Sequence, residues 1–261
     1  MSKTPLRLRV SRRDLDILTF LQTERGATAE VLHRKFFPSN KRDALKSTIR
    51  RLSGDKNSPP LVASRPLDDR RVYYQVTPDG AGLIGKRSDA PDPLGPSAKI
   101  RIYAESWYLY VQRPGKRTRL LLTDLREEFQ LVDQRLPKHA FYLDESRREP
   151  RLGVILVDHK ASVQHTVTKT VDAIARILHR GVFPQFIRQG RFVVTVLTAT
   201  RGAKDEIDVS LQPAIIDRLA GELLRIVGSA PDEFPVKFDI SVVPGLLDLL
   251  TGQPKPGSQG E

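Results

Sequence analysis

The chain has 261 residues, 39% of them hydrophobic and 28% charged, so it is long enough for one or two domains with a real core and too apolar to be disordered. No apolar run approaches the ~20 residues of a membrane-spanning helix, the N-terminus lacks the apolar segment of a signal peptide, and the absence of cysteine excludes disulfides, thiolate nucleophiles and cysteine-bound zinc. The net charge of +12 is uneven: residues 1–88 hold 19 Lys and Arg against 9 Asp and Glu, whereas residues 89–261 hold 24 against 22. A basic module joined to a near-neutral one points to nucleic acid at the N-terminal end.

Residues 11–25 predict a helix, with Ser11 as its cap, Asp14 at its positive end and Leu15, Ile17, Leu18 and Leu21 on one face. Gly26 ends it. Thr28 caps a second helix that stops before Pro38, and Ser39 opens a third that runs to Gly54. Two β segments, residues 60–67 and 70–77, then flank the turn residues Asp68 and Asp69, and a short helix follows over 78–85. Three helices and a hairpin in that order are those of a winged helix-turn-helix. Residues 1–85 are therefore expected to form that domain.

The third helix carries the candidate DNA contacts. Leu45, Thr48, Ile49 and Leu52 share one face, and Arg42, Lys46 and Arg50, four apart, form a stripe beside it. Ser39, Asn40 and Lys41 stand at its N-terminal end, where a recognition helix meets base edges. Arg and Lys can read guanine and Asn adenine, the others holding phosphates. Arg65, Arg70 and Arg71 flank the hairpin tip, the place of a wing, and Arg7, Arg9, Arg12 and Arg13 form a basic N-terminal arm.

Residues 86–98 hold three prolines, a glycine and small polar residues, and predict a linker. Residues 99–135 read as mainly helical, broken at Pro114-Gly115, with Ile100, Tyr103, Trp107 and Tyr110 as a core stripe. Strands are expected at 139–143, 152–157, 191–198 and 235–243, and helices at 162–180 and 213–227, the last with Pro213 in its first turn. This order predicts a small three-layer α/β domain with a mixed sheet over 99–251, so that the chain is α+β with an α/β second half. The tail 252–261 is expected to be disordered.

One arrangement in the second domain has the residue types of catalysis. Asp144 ends one predicted strand, and Asp158 and Lys160 end the next. Two carboxylates at neighbouring strand ends can share a divalent cation such as Mg²⁺, and a lysine beside them can orient or deprotonate a water. The spacing is that of a PD-(D/E)XK nuclease, with Leu143 where that signature has proline. Phosphate-binding glycine loops are absent, the five histidines lack close ligand spacing, and no nucleophile turn is visible. An Mg²⁺-dependent nuclease or nickase is thus the alternative function; on the leading one, no enzyme activity, metal or cofactor is expected.

The residues at 11–37, the basic third helix, the segment RRVYYQVTPDGAGLI at 70–84 and the segment LGVILVDHKASVQHTVTKTVDAIARI at 152–177 together resemble the replication-relaxation family of plasmids and integrative elements. The resemblance covers roughly residues 11–200. It implies a DNA-binding protein acting in replication, mobilisation or transcriptional control of its element, with a second domain similar to restriction-endonuclease-like folds. The family's second strand carries an E-x-D pair; here Asp158 fits the Asp, Leu156 stands at the Glu position, and Lys169 fits the family's helix lysine. That departure implies a fold kept for assembly. Double-stranded DNA, a second copy of the chain in a homodimer, and a replication or partition protein are the expected partners. No membrane association and a cytoplasmic location are expected.

Overall fold

The computed structural model describes residues 10–40, 42–55, 58–86, 91–127, 129, 140–159, 162–228 and 235–252. The chain is mixed α+β and divides into two compact units, Met1–Pro114 and Gly115–Thr251. Among the described residues no helix is long and apolar enough to cross a membrane.

The first unit begins with α1 (Arg12–Glu24). Ser11 and Asp14 cap it reciprocally: the Ser11 N–H and hydroxyl donate to Asp14 Oδ2 at 2.7 and 2.8 Å, and the Asp14 N–H donates to Ser11 Oγ at 3.3 Å. Ile17, Leu18, Phe20 and Leu21 are buried, while Leu15, expected on that face, is 38% exposed. Arg25 takes the left-handed cap conformation at φ 62°. Next come β1 (Ala27–Thr28), α2 (Ala29–Phe36) and α3 (Arg42–Leu52). The hairpin of β2 (Val62–Pro66) and β3 (Val72–Val76) completes a three-stranded antiparallel sheet in the order β1-β3-β2, with Ala27 opposite Tyr74 and Arg65 opposite Tyr73. The two-residue β1 escaped the sequence pattern because a pairing that short has no periodicity. Helix α4 (Pro78–Leu83), capped by Thr77, packs so closely on the preceding chain that a Cβ at Gly80 would lie 2.1 Å from the Leu61 carbonyl oxygen.

The first unit extends past the boundary that composition suggests. Residues 91–95, expected in a linker, dock on β3: the Leu94 N–H donates to the Tyr73 hydroxyl at 3.0 Å, and Gln75 Nε2 donates to the Asp92 carbonyl at 3.1 Å. Pro96 then opens α5 (Pro96–Ser106), a position where proline's missing N–H costs nothing. A π-helical turn follows over Trp107–Gln112. It packs more residues per turn than an α-helix, so the 3.6-residue phase slips and Tyr108, Leu109 and Tyr110 are all buried. Tyr110 donates to Glu24 at 2.6 Å and meets Phe20 edge-on at 5.2 Å. These contacts group residues 99–114 with the first unit.

The second unit is a five-stranded sheet in the order β4-β5-β6-β7-β8, with β4 (Arg117–Leu120), β5 (Ala140–Asp144), β6 (Arg151–Val157), β7 (Phe192–Thr198) and β8 (Val236–Val242). The first three strands are antiparallel and the last three parallel. Phe141, Leu152, Val154, Leu156, Phe192, Val194, Val196 and Ile240 face one way. They share a single apolar cluster with α6 (Leu122–Glu127), α7 (Val163–Ile177), α8 (Phe183–Arg188) and α9 (Arg201–Val227). Strand β4 lies where helix was expected. Helix α9 begins at Arg201, capped by Thr200 and twelve residues before the predicted start, so Pro213 sits inside it on an exposed position. Helix α10 (Leu246–Thr251) closes the described chain.

The opposite face of the sheet mixes polar groups with the buried Ile155, Val193 and Leu197. Tyr142 and Thr195 share a buried hydrogen bond of 2.7 Å, and the Tyr142 ring lies over Gly153, where a Cβ would come within 2.2 Å of it. Arg117 on edge strand β4 lies 3.9 Å from Asp144 and 3.4 Å from Asp239 on the other edge strand, β8. Four flat strand spacings of ~4.8 Å are longer than those two side chains can span, so the sheet curls with the face carrying Arg117 and Asp239 concave.

Candidate functional site

Helix α3 is amphipathic in a way that leaves its cations outside. Leu45, Ile49 and Leu52 are buried, and Arg42, Lys46 and Arg50 are exposed on the flank beside them. Lys46 lies 3.7 Å from Asp43, a pair open to water on both sides and therefore weak. No described carboxylate pairs with Arg42 or Arg50. Ser39 and Asn40 are exposed in the turn before α3 instead of within its first turn. That turn is pinned by the Asn40 N–H donating to the Phe37 carbonyl at 3.0 Å and by the Asn40 carbonyl 2.9 Å from His33 Nε2. Lys41, Arg7 and Arg9 lie outside the described residues; Arg12 and Arg13 are exposed at the start of α1, with Arg13 5.0 Å from the Phe37 ring centre.

Arg51, the next residue on α3, is committed within the fold. Its Nη2 donates to Asp14 Oδ1 at 2.6 Å, where Asp14 is 1% exposed. Burial pushes the Asp14 carboxyl up, but the Arg51 hydrogen bond, the Ser11 donors and the Arg51 charge together hold it below the ordinary carboxylate range. The cap of α1 is thereby tied to α3. The Ser11-x-x-Asp14 pattern is readable as a capping box, whereas Arg51 is 37 residues away and nothing local announces it.

The hairpin separates its arginines in the same way. Asp68 accepts from the backbone N–H groups of Arg70 and Arg71 at 3.0 and 2.6 Å and from Arg71 Nε at 2.6 Å. The Arg71 guanidinium also lies 4.8 Å from the Tyr103 ring centre. Burial raises the Asp68 carboxyl, but its Arg71 and backbone donors outweigh this and leave it below the usual range. Burial raises Tyr103, partly opposed by Arg71. Arg71, expected at a nucleic acid, is thus turned inward to brace the hairpin on α5. Arg65 and Arg70 are exposed.

A second cation missed by the sequence pattern is Lys35. Its ammonium lies 5.0 Å from the Phe20 ring centre and 4.9 Å from that of Tyr110. Burial among the rings lowers its pKa, with Glu24 pulling the other way.

The expected carboxylate pair of the second unit is not assembled. Strands β5 and β6 are antiparallel, and Asp144 stands opposite Arg151, seven residues before Asp158. At ~3.3 Å per residue the two acids are about 23 Å apart, at opposite ends of the sheet, whereas oxygens sharing one cation must be within roughly 5 Å of each other. Asp144 accepts from the Ser146 N–H at 2.9 Å and lies beside Arg117. Asp158 is buried, and its backbone N–H extends the ladder to the Leu197 carbonyl at 2.9 Å. Lys160 lies outside the described residues. Among the described residues, no group of three His, Asp or Glu side chains is placed to hold a metal ion.

Comparison with protein-family models, with curated proteins and with solved structures gives no match for this chain.

Proposed function

We propose that the first unit is a winged helix that binds double-stranded DNA, with α3 in the major groove and the β2–β3 hairpin against the backbone. The carrying observation is the stripe of Arg42, Lys46 and Arg50, exposed on a helix whose other cation, Arg51, is bound to Asp14 and holds that helix in place. Asn40 and Ser39 stand at the end that meets base edges, and Arg65 and Arg70 are the hairpin cations exposed for phosphates. The element order, with β1 paired to the hairpin, supports the same assignment.

In this proposal the chain belongs with the replication-relaxation proteins and acts in replication, mobilisation or transcriptional control of a plasmid or mobile element. It works as a cytoplasmic homodimer on half-sites one helical turn, ~34 Å, apart. The second unit keeps a restriction-endonuclease-like fold for assembly with a second copy or with a replication or partition protein, not for cleavage.

The test is a fluorescence-anisotropy titration of duplex DNA at several salt concentrations. Arg42→Ala/Lys46→Ala/Arg50→Ala should bind more weakly and flatten the log–log salt slope by about 2.7, at about 0.9 for each phosphate no longer neutralised. Equal affinity and slope for the variant and the parent refute the proposal.

A further inference from the structure

The near-neutral charge of residues 89–261 conceals a local excess. One end of the second unit's sheet gathers the start of β4, the β5–β6 connection and the α8–β7 connection. Lys116, Arg147, Arg148 and Arg188 are exposed there, and Arg151 and Arg191 are half-buried. The backbone fixes these segments as neighbours. The Glu145 N–H donates to the Lys116 carbonyl at 2.9 Å, Asp144 stands opposite Arg151, and the Leu152 N–H donates to the Arg191 carbonyl at 3.1 Å. Arg191 locks the connection in shape: its Nε and Nη2 donate to the Pro150 carbonyl at 2.8 and 2.5 Å, and its guanidinium lies 5.0 Å from the Phe186 ring centre.

Asp144 is beside Arg117, Glu149 is exposed 3.9 Å from Arg191, and Glu145 is exposed; with these three acids stand the seven cations Lys116, Arg117, Arg147, Arg148, Arg151, Arg188 and Arg191. Asp232 and Glu233, which precede β8 in the chain, lie outside the described residues. No described carboxylate pairs with Lys116, Arg147, Arg148 or Arg188. Four like charges gathered at one end of the sheet repel one another, a cost that a polyanion removes. Measured around the curl, the end of the sheet from β4 to β7 covers three strand spacings, about 14 Å, the scale of a few successive phosphates of one DNA strand at ~3.4 Å of axial rise each.

We propose that this edge, centred on Arg147, Arg148 and Arg188, is a second nucleic-acid contact that takes the phosphate backbone of duplex DNA without reading its sequence. The choice of DNA over another polyanion rests on the function proposed for the first unit.

The test uses the full chain and four proteins: the parent, the α3 triple variant, Arg147→Ala/Arg148→Ala/Arg188→Ala, and Arg147→Lys/Arg148→Lys/Arg188→Lys. Each is titrated into a random-sequence duplex at several salt concentrations, with circular dichroism to check folding. The alanine edge variant should bind more weakly by a factor on the order of a hundred or more near 100 mM salt and flatten the slope by about 2.7, and the lysine variant should keep the parent slope. An edge variant that binds like the parent overturns the inference, even if the α3 variant fails. Loss in the edge variant with an unaffected α3 variant supports this edge and removes the function proposed for α3. Cosedimentation with phosphatidylglycerol vesicles that the alanine variant loses, while its DNA binding stays intact, assigns the edge to membrane and overturns the inference.

Discussion

Replacing Asp14 with Asn removes the charge that ties the cap of α1 to α3 while keeping the size of the side chain. The Asp14 carboxylate accepts three hydrogen bonds, from the Ser11 N–H at 2.7 Å, the Ser11 hydroxyl at 2.8 Å and Arg51 at 2.6 Å. Charge-assisted bonds are about twice as strong as neutral ones. The Arg51 side chain is 40% exposed, so it regains water once its partner is neutral, and its share is discounted accordingly. The expected loss is about 2 kcal/mol, combining cap and ion-pair contributions. For a unit of this size that lowers Tm by about 8 °C, at roughly 4 °C per kcal/mol. Trp107 is the sole tryptophan and lies in the first unit, so its fluorescence reports that unit's melting selectively. The pH dependence fixes the cause. The carboxyl is lowered in the folded state, so its contribution is complete above the ordinary aspartate range and is lost as pH falls through that range towards the folded value. The gap between parent and Asp14→Asn should be the same at pH 7 and pH 5 and should narrow below about pH 4. An unchanged Tm at pH 7, or a gap that persists undiminished at pH 3, refutes the reasoning.

Three further outcomes are expected in the second unit. Arg117→Met strands Asp144 on β5 and Asp239 on edge strand β8 and should cost about 3 kcal/mol, read as faster hydrogen exchange across residues 140–157 and 236–242. Thr195→Val removes the buried 2.7 Å hydrogen bond to the Tyr142 hydroxyl and should cost about 1 kcal/mol in a urea melt. Gly153→Ala drives a methyl into the Tyr142 ring and should destabilise by about 1–3 kcal/mol, measured by far-ultraviolet circular dichroism against temperature; a stability equal to the parent's means the ring does not lie where it is placed.

The elements that were legible in the sequence are those whose signals are local. Helices α1, α2, α3 and α7 have apolar residues at helical spacing, and Ser11 and Thr28 cap where expected. Strands β5, β6 and β7 are short apolar runs between turn residues. What was not legible depends on partners far along the chain. Strand β4, Arg117–Leu120, has alternate arginines that look solvated until Asp239, 122 residues later, comes alongside. The prolines at 91, 93 and 96 read as a linker because composition carries no information about Gln75 and Tyr73, which hold that segment. Arg71 looked like its neighbours Arg65 and Arg70, and only Asp68 and Tyr103 distinguish it.

The separation of Asp144 from Asp158 has the same origin. Both acids end strands, and strand ends gather side chains only when the strands run the same way. In β6, β7 and β8 they do, so Asp158 and Thr198 share an edge; β5 runs against β6, so Asp144 falls at the other. The same reversal makes charge a poor guide when it is summed over a domain. It brings the connection carrying Arg147 and Arg148 beside Lys116 and Arg191, while Arg117 is neutralised between two acids inside the curl of the sheet. A net charge counts these arginines alike. Burial and pairing decide which of them an anion can reach, and at the sheet edge those are Lys116, Arg147, Arg148 and Arg188.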